Sequence, residues 1–258
     1  MKILGVQEKS RGVLLFAFNT GEIDYIKIAE RSAKLIAHTL RLPVTIISDR
    51  DVANTLINFK PGHGTAWRNG DRYRAYELSP YDETLLIDSD YLMLDRSLLK
   101  LFEQEFDYRI MTHNYSQSGS WPDCMGTYGL PYQWATAILF RKTGKTEMLF
   151  DLVGRIQRNY SYYQNLYHIK YGSFRNDYAF TIANNILNGY DLEMAQGIPW
   201  PMLTFTEVVK SMTFDNALIT VKERKKAYVI PCQNIHVMDK EYLLSDNFAD
   251  FLESVCTN

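Results

Sequence analysis

Apolar positions along this chain fall into short unbroken runs separated by stretches of helical periodicity. Residues 12–18 are an apolar run that reads as a buried strand. From Ile23 the period changes. Ile23, Ile26, Ala29, Ala33, Ile36 and Leu40 share one helical face, with Lys27, Glu30, Arg31 and Lys34 off it. Pro43 stops the helix, and the β-branched run Val44, Thr45, Ile46, Ile47 supplies a second strand that ends at Ser48 and Asp49. Strand, helix and strand in such close succession predict a parallel βαβ unit.

Residues 50–69, with Pro61, Gly62 and Gly64, read as irregular loop, and 68–78 as a helix. A third buried strand over 84–87 runs into Asp88, Ser89 and Asp90. Next come a short helix over 98–106 and a strand over 108–112. Residues 114–132 are rich in Ser, Gly, Pro and aromatics and have no period; a loop of that length is expected to be functional. A strand over 135–140 follows. An amphipathic helix over 145–158 is expected to bury Met148, Leu149, Leu152, Val153 and Ile156, and another over 177–187 to bury Phe180, Ala183 and Leu187. The tail alternates short strands over 217–221, 227–230 and 235–238 with loops. No repeat, low-complexity tract or linker interrupts the pattern. The expectation is one α/β domain over 1–258, with a mostly parallel mixed sheet flanked by helices.

Composition adds limits. Of 258 residues, 46% are hydrophobic, ample for a buried core. With 28 basic against 30 acidic residues, total charge gives no reason to expect a nucleic-acid or membrane surface. Cys124, Cys232 and Cys256 show no zinc spacing and no disulfide framework, which fits a reducing compartment. Residues 1–11 are polar and charged, unlike a signal peptide, and no apolar run approaches the ~20 residues of a membrane span. A cytoplasmic location, in a bacterium or a phage-infected host, is the expectation, unless an anchor lies outside this sequence.

The strongest chemical signal is Asp88 and Asp90 at the exit of a buried strand, the edge where open α/β sheets bind ligands. Their hard oxygens suit Mg²⁺ or Mn²⁺. An Asp-Ser-Asp turn that caps a helix is the competing reading. The order of elements around this motif resembles the glycosyltransferase-A fold, most of all its small galactosyltransferase-like, glycogenin-type branch. The resemblance is architectural, with short motifs, and covers most of residues 12–240. The glycine-rich acceptor motif and the lysine-proline-tryptophan ending of that branch are not evident.

The resemblance implies metal-dependent transfer of a sugar from a nucleotide diphosphate sugar. It assigns 12–112 to the nucleotide and 113–258 to the acceptor. Ala17, Phe18 and Asn19, with Asp24 and Tyr25 beyond, match the loop that holds the base; Asp49 matches a position near the base or ribose. Arg72 matches a basic residue ahead of the metal motif, Ser89 joins the nucleotide contacts, and Asp88, Asp90 and His236 match the metal ligands. The strand 134–140 would line the sugar pocket. Asp177, which opens the next helix, would stabilise the sugar carbon, bind sugar hydroxyls or deprotonate the acceptor. Arg72 and Lys240 could add hydrogen bonds to the departing diphosphate.

From the residues alone, Asp177 and Asn176 are also candidate helix caps, and His236 is also a satisfied strand histidine. His113 borders the aperiodic stretch and is a candidate pocket residue. Trp121, Tyr128, Tyr132, Trp134, Tyr160, Tyr162, Tyr163, Tyr167 and Trp200 gather in the second half, and the polar run Tyr160, Ser161, Tyr162, Tyr163, Gln164 could face an acceptor. Residues 222–226 read as a solvated basic turn, and as the first place to look were the acceptor a polyanion. A glycan, a protein side chain or a modified base in phage DNA would each serve as acceptor. Two other functions stand beside the transferase. A nucleotidyltransferase acting on sugar phosphates would carry a glycine-rich phosphate loop after the first strand, where residues 19–22 hold one glycine. A non-catalytic sugar-nucleotide-binding domain would bind without turnover.

Overall fold

The βαβ pattern at the start of the chain folds as read. A computed structural model describes residues 9–49, 57–58, 70–116, 119–120, 124–127, 129–170, 172–191, 197–215 and 217–257. In it, β1 (Arg11–Phe16) and β2 (Val44–Ser48) pair in parallel, Val13 opposite Val44, and α1 (Tyr25–Leu40) crosses between them. Asp24 caps α1 by accepting the Lys27 N–H. The helix ends when Arg41 turns left-handed (φ 56°), ahead of Pro43. Ile26, Ala29, Ala33, Ile36 and Leu40 are buried as expected, but so are Ile28 and Leu35, which join a second apolar cluster. The helix is therefore covered on two sides, more than a single amphipathic stripe implies.

β3 (Ile57–Asn58) extends the sheet parallel to β2, within a stretch otherwise outside the described residues. The helix expected over 68–78 is a 3-10 turn at Gly70–Arg74 followed by the short α2 (Ala75–Leu78); 68 and 69 lie outside the described residues. β4 (Glu83–Ile87), buried throughout, pairs in parallel with β1 on the side away from β2. β5 (Tyr91–Leu92), α3 (Leu99–Phe102) and β6 (Tyr108–Met111) follow.

The stretch expected to be loop carries short strands: β7 (Asn114–Ser116), β8 (Gly119–Ser120), β9 (Cys124–Met125) and β10 (Leu130–Pro131). Strands of two or three residues are too short to show a period. Then come β11 (Trp134–Arg141), α4 (Gly144–Arg158), α5 (Tyr160–Leu166), α6 (Asn176–Leu187) and β12 (Gly197–Ile198). On α4 the buried stripe runs through Leu149, Phe150, Val153 and Ile156; Met148, expected to be buried, lies past its rim and is 59% exposed.

The main sheet has the order β12-β6-β11-β4-β1-β2-β3, with β11 antiparallel to both neighbours and every other pair parallel. This is the mixed, mostly parallel α/β sheet that the pattern predicts. The C-terminal part supplies β13 (Met202–Phe205), β14 (Val209–Asp215), β15 (Leu218–Glu223), β16 (Ala227–Pro231), β17 (Ile235–Val237), α7 (Lys240–Leu244) and α8 (Asp246–Thr257). A second sheet runs β5-β17-β13-β7-β8, and β14-β15-β16 form an antiparallel meander. Residues 222–226 form the exposed meander turn, apart from buried Glu223. Among the described residues no helix is long and apolar enough to cross a membrane.

Candidate active site

As β4 ends the chain turns: the Asp88 N–H donates to the Thr136 carbonyl at 2.9 Å, and the Tyr91 N–H to the Asp88 carbonyl at 3.1 Å. Buried Ser89 sits at the turn. Two residues apart, Asp88 and Asp90 leave the chain on the same side, and both line one cavity of about 200 Å³. β5 continues from the turn and pairs antiparallel with β17, Tyr91 opposite His236, while the Val237 N–H donates to the Asp90 carbonyl at 3.0 Å. His236 is thereby set beside Asp90, with Nε2 3.2 Å from Oδ2.

Behind the imidazole, Thr204 on β13 places Oγ1 3.3 Å from Nδ1 and donates its own proton to Asn114 Oδ1 at 2.7 Å. With that proton committed, Thr204 offers His236 only a lone pair, so Nδ1 carries hydrogen. Nε2 therefore meets Asp90 across a gap that calls for a proton or a cation.

The chain's own cations stand on both carboxylates. Arg72, 1% exposed in the 3-10 turn, donates Nη1 to Asp88 Oδ1 at 2.5 Å and Nη2 to the Ala135 carbonyl at 2.6 Å. Lys240, which opens α7, donates Nζ to Asp90 Oδ2. Ala135 is gripped from its other side: its N–H donates to Asp177 Oδ1 at 2.9 Å, and Arg175 Nη2 holds Asp177 Oδ2 at 2.6 Å. β11 slips register between Trp134 and Ile138, and this irregularity contains the Ala135 peptide. Asp177 is thus no helix cap. The N-cap of α6 is Arg175, which makes no side-chain cap bond.

Burial raises Asp88 above the ordinary carboxyl range; Arg72 opposes this and the Asp90 charge adds to it. Burial pushes Asp90 the same way, but Lys240 and His236 outweigh it and hold this carboxyl far below its usual range. Burial lowers the Lys240 ammonium, and Asp90 more than restores it. Tyr25, at the start of α1, belongs to the same neighbourhood. Burial raises its phenol, Lys240 lowers it, and Asp90 and Asp88 raise it further.

The other nucleotide candidates lie at the carboxyl ends of β1 and β2. Ala17 and Phe18 are buried, and the Ala17 N–H donates to the Ile47 carbonyl at 2.9 Å. Asn19 Oδ1 accepts the Ile26 N–H at 2.9 Å, which commits it to the first turn of α1. Asp49 directly follows β2. Trp134 lines the cavity, with its ring 4.6 Å from Tyr132. His113 is exposed and outside the cavity lining; its carbonyl accepts the Met202 N–H. Trp121 and Tyr128 lie outside the described residues. Sequence reasoning did not find Asn114, Thr204 or Arg175. Their roles come from pairings distant in the chain, and no local pattern marks them.

Two carboxylates and an imidazole whose Nε2 faces them are donors suited to Mn²⁺ or Mg²⁺. Among the described residues, no three His, Cys, Asp or Glu side chains converge as a ready-made metal cluster.

No family model matches the chain, and no curated protein matches it. Among solved structures it is similar to the glycosyltransferase GlyE of Streptococcus pneumoniae TIGR4 in apo form, at 16% identity and TM-score 0.39 over 73% of this chain and 45% of that one. A further GlyE structure gives 15% identity and TM-score 0.41 over 74% and 46%. The apo bifunctional glycosyltransferase WbbM gives 14% identity and TM-score 0.35 over 58% and 35%. The chain spans under half the length of each. All three are structures of glycosyltransferases.

Proposed function

We propose that the chain is a glycosyltransferase that moves a sugar from a nucleoside diphosphate sugar to an acceptor, with Mn²⁺ or Mg²⁺ held by Asp90, His236 and Asp88. The observation that carries this reading is the convergence of Asp88, Asp90, His236 and Arg72 on one cavity at the carboxyl end of β4, with Lys240 paired to Asp90. Departure of a nucleoside diphosphate from a sugar carbon concentrates negative charge on one side and leaves positive charge on the other. A bound divalent ion would supply Lewis-acid stabilisation of the diphosphate.

Around it, Arg72 fixes the Asp88 carboxylate from a buried position and keeps it in one rotamer. Lys240 carries its charge on a flexible stem long enough to turn from Asp90 to a phosphate oxygen. Asp177, with its oxygens engaged by the Ala135 N–H and Arg175, is a fixed negative charge in the cavity wall, suited to bind sugar hydroxyls and to balance an oxocarbenium-like carbon. In this reading Tyr25, Asp49 and the Ala17–Asn19 segment, at the start of α1 and the carboxyl ends of β2 and β1, are the contacts to base and ribose.

A thermal-shift panel of nucleoside diphosphates, with and without Mn²⁺, tests this. Binding to the native state raises the melting temperature, and a 100-fold excess over Kd is worth about 2.7 kcal/mol. One diphosphate is expected to give a Mn²⁺-dependent shift that Asp90→Ala abolishes. Equal shifts in wild type and variant, or no shift with any diphosphate, would remove the reading.

A further inference from the structure

A second cavity, of about 480 Å³, opens between β10, α5 and the end of α6, lined by Leu130, Pro131, Leu166, Tyr167, Asn185 and Tyr190 together with Gly129. Its size falls within the ~300–1,000 Å³ of small-ligand sites. Among the described residues the lining is apolar, aromatic and amide, with no charged side chain. The Tyr167 and Tyr190 hydroxyls stand 2.5 Å apart. One hydrogen serves that contact and the other is left to point at a partner.

The backbone goes to some cost to present these rings. Tyr190 itself is left-handed at φ 61°, and His168, just after Tyr167, is left-handed at φ 53°. Bulky residues seldom adopt that region, and such strain gathers at functional sites. Beside the groove, Tyr190 is 52% exposed, Leu166 45%, and Tyr162, one helical turn before Leu166 on α5, 64%. The floor is firm. Asn185 Nδ2 donates to the Thr181 carbonyl at 2.8 Å, and the Gln133 N–H donates to Thr181 Oγ1 at 2.8 Å.

Two rulers place this groove relative to the candidate active site. Pro131 precedes Trp134, a cavity residue, by three residues, at most about 10 Å of chain. Asn185 lies eight residues beyond Asp177 on α6, about 12 Å along the axis. Both give the reach of a short oligosaccharide.

We infer that this groove is an acceptor subsite and that its occupant is a neutral oligosaccharide, an inference that rests on the transferase reading above. Sugar rings offer C–H faces to tyrosines and hydroxyls to Tyr167, Tyr190 and Asn185. A nucleic acid needs cations for its phosphates. Among its described residues the groove offers none, and the basic residues Arg224, Lys225 and Lys226 line a different cavity on the meander.

Saturation-transfer NMR and calorimetry on the full chain, with maltotetraose, cellotetraose, chitotetraose and lacto-N-neotetraose as probes, decide the matter. At least one is expected to bind wild type. Tyr190→Gly, which keeps the left-handed backbone without strain, and Tyr167→Phe are each expected to weaken it about tenfold. Both variants keep the Mn²⁺-dependent diphosphate shift, which also reports that they fold. Binding of none of the four, or equal binding by wild type and variants, overturns the subsite. A missing diphosphate shift with sugar binding intact overturns the transferase reading instead.

Discussion

At the scale of single residues, one hydroxyl decides what an imidazole can do. Thr204 gives its proton to Asn114 and so takes the Nδ1 hydrogen of His236, which leaves Nε2 to face Asp90. Val at this position would keep the volume but lose both bonds. The ring would then be free to change tautomer, and the Asn114 oxygen would lose a donor. Thr204→Val is expected to lower Mn²⁺ affinity about tenfold, while Thr204→Ser keeps it, as measured by electron paramagnetic resonance of free Mn²⁺ during titration. If the valine variant binds Mn²⁺ as tightly as wild type, the hydroxyl has no part in orienting the ligand.

At the scale of elements, Arg72 is placed by the approach of α4 to the 3-10 turn at Gly70–Arg74. Gly154 on α4 makes that approach possible: a Cβ there would lie 2.7 Å from the ring of Tyr73, the neighbour of Arg72. On helix propensity alone, alanine should stabilise a helix interior by up to about 1 kcal/mol. The contact reverses the sign, and Gly154→Ala is expected to cost about 1–3 kcal/mol and to weaken diphosphate binding by moving Arg72. Gly144→Ala, with nothing within 4 Å of its Cβ, serves as the control. Thermal melts and the diphosphate shift read both, and a stabilised Gly154→Ala would show that the turn yields freely.

The elements most legible in the sequence are those whose burial leaves an unbroken apolar run or a long amphipathic face: β1, α1, β2, β4, β11 and α4. The Asp88–Asp90 pair was visible because it closes such a run. β13 and β14 were not legible. β13 is a buried run of only four residues, and a register slip between Val209 and Ser211 breaks the alternation of β14. α8 does carry Phe248, Phe251, Leu252 and Val255 at helical spacing, and this pattern was overlooked. The support for His236 was hidden for a different reason. Thr204 is 90 residues from Asn114 and 32 from His236, and only sheet pairing brings them together.

At the scale of the whole molecule, the meander stores a charge that works against folding at neutral pH. Glu223 is 7% exposed at the end of β15, and its Oε1 finds no partner. Burial raises its carboxyl above the ordinary range; the Glu207 backbone hydrogen bond opposes this, the Glu207 charge adds to it, and Lys226 opposes it. A group raised in the folded state contributes stability below its unfolded pKa of about 4.3, and that contribution is lost as pH rises through the higher folded value. Wild type therefore gives up stability on the way from acid to neutral, and Glu223→Gln, which cannot ionise, does not. The variant is expected to be more stable at pH 7 by about 1 kcal/mol, near 2–4 °C in Tm for a chain of this size. That advantage should shrink as pH falls towards 4 and vanish below it, where the carboxyl is neutral in both folded and unfolded states. Melting curves of the two proteins from pH 4 to 8 settle it: lines that converge in acid assign the loss to this carboxylate, and parallel lines remove it from the pH dependence of the fold.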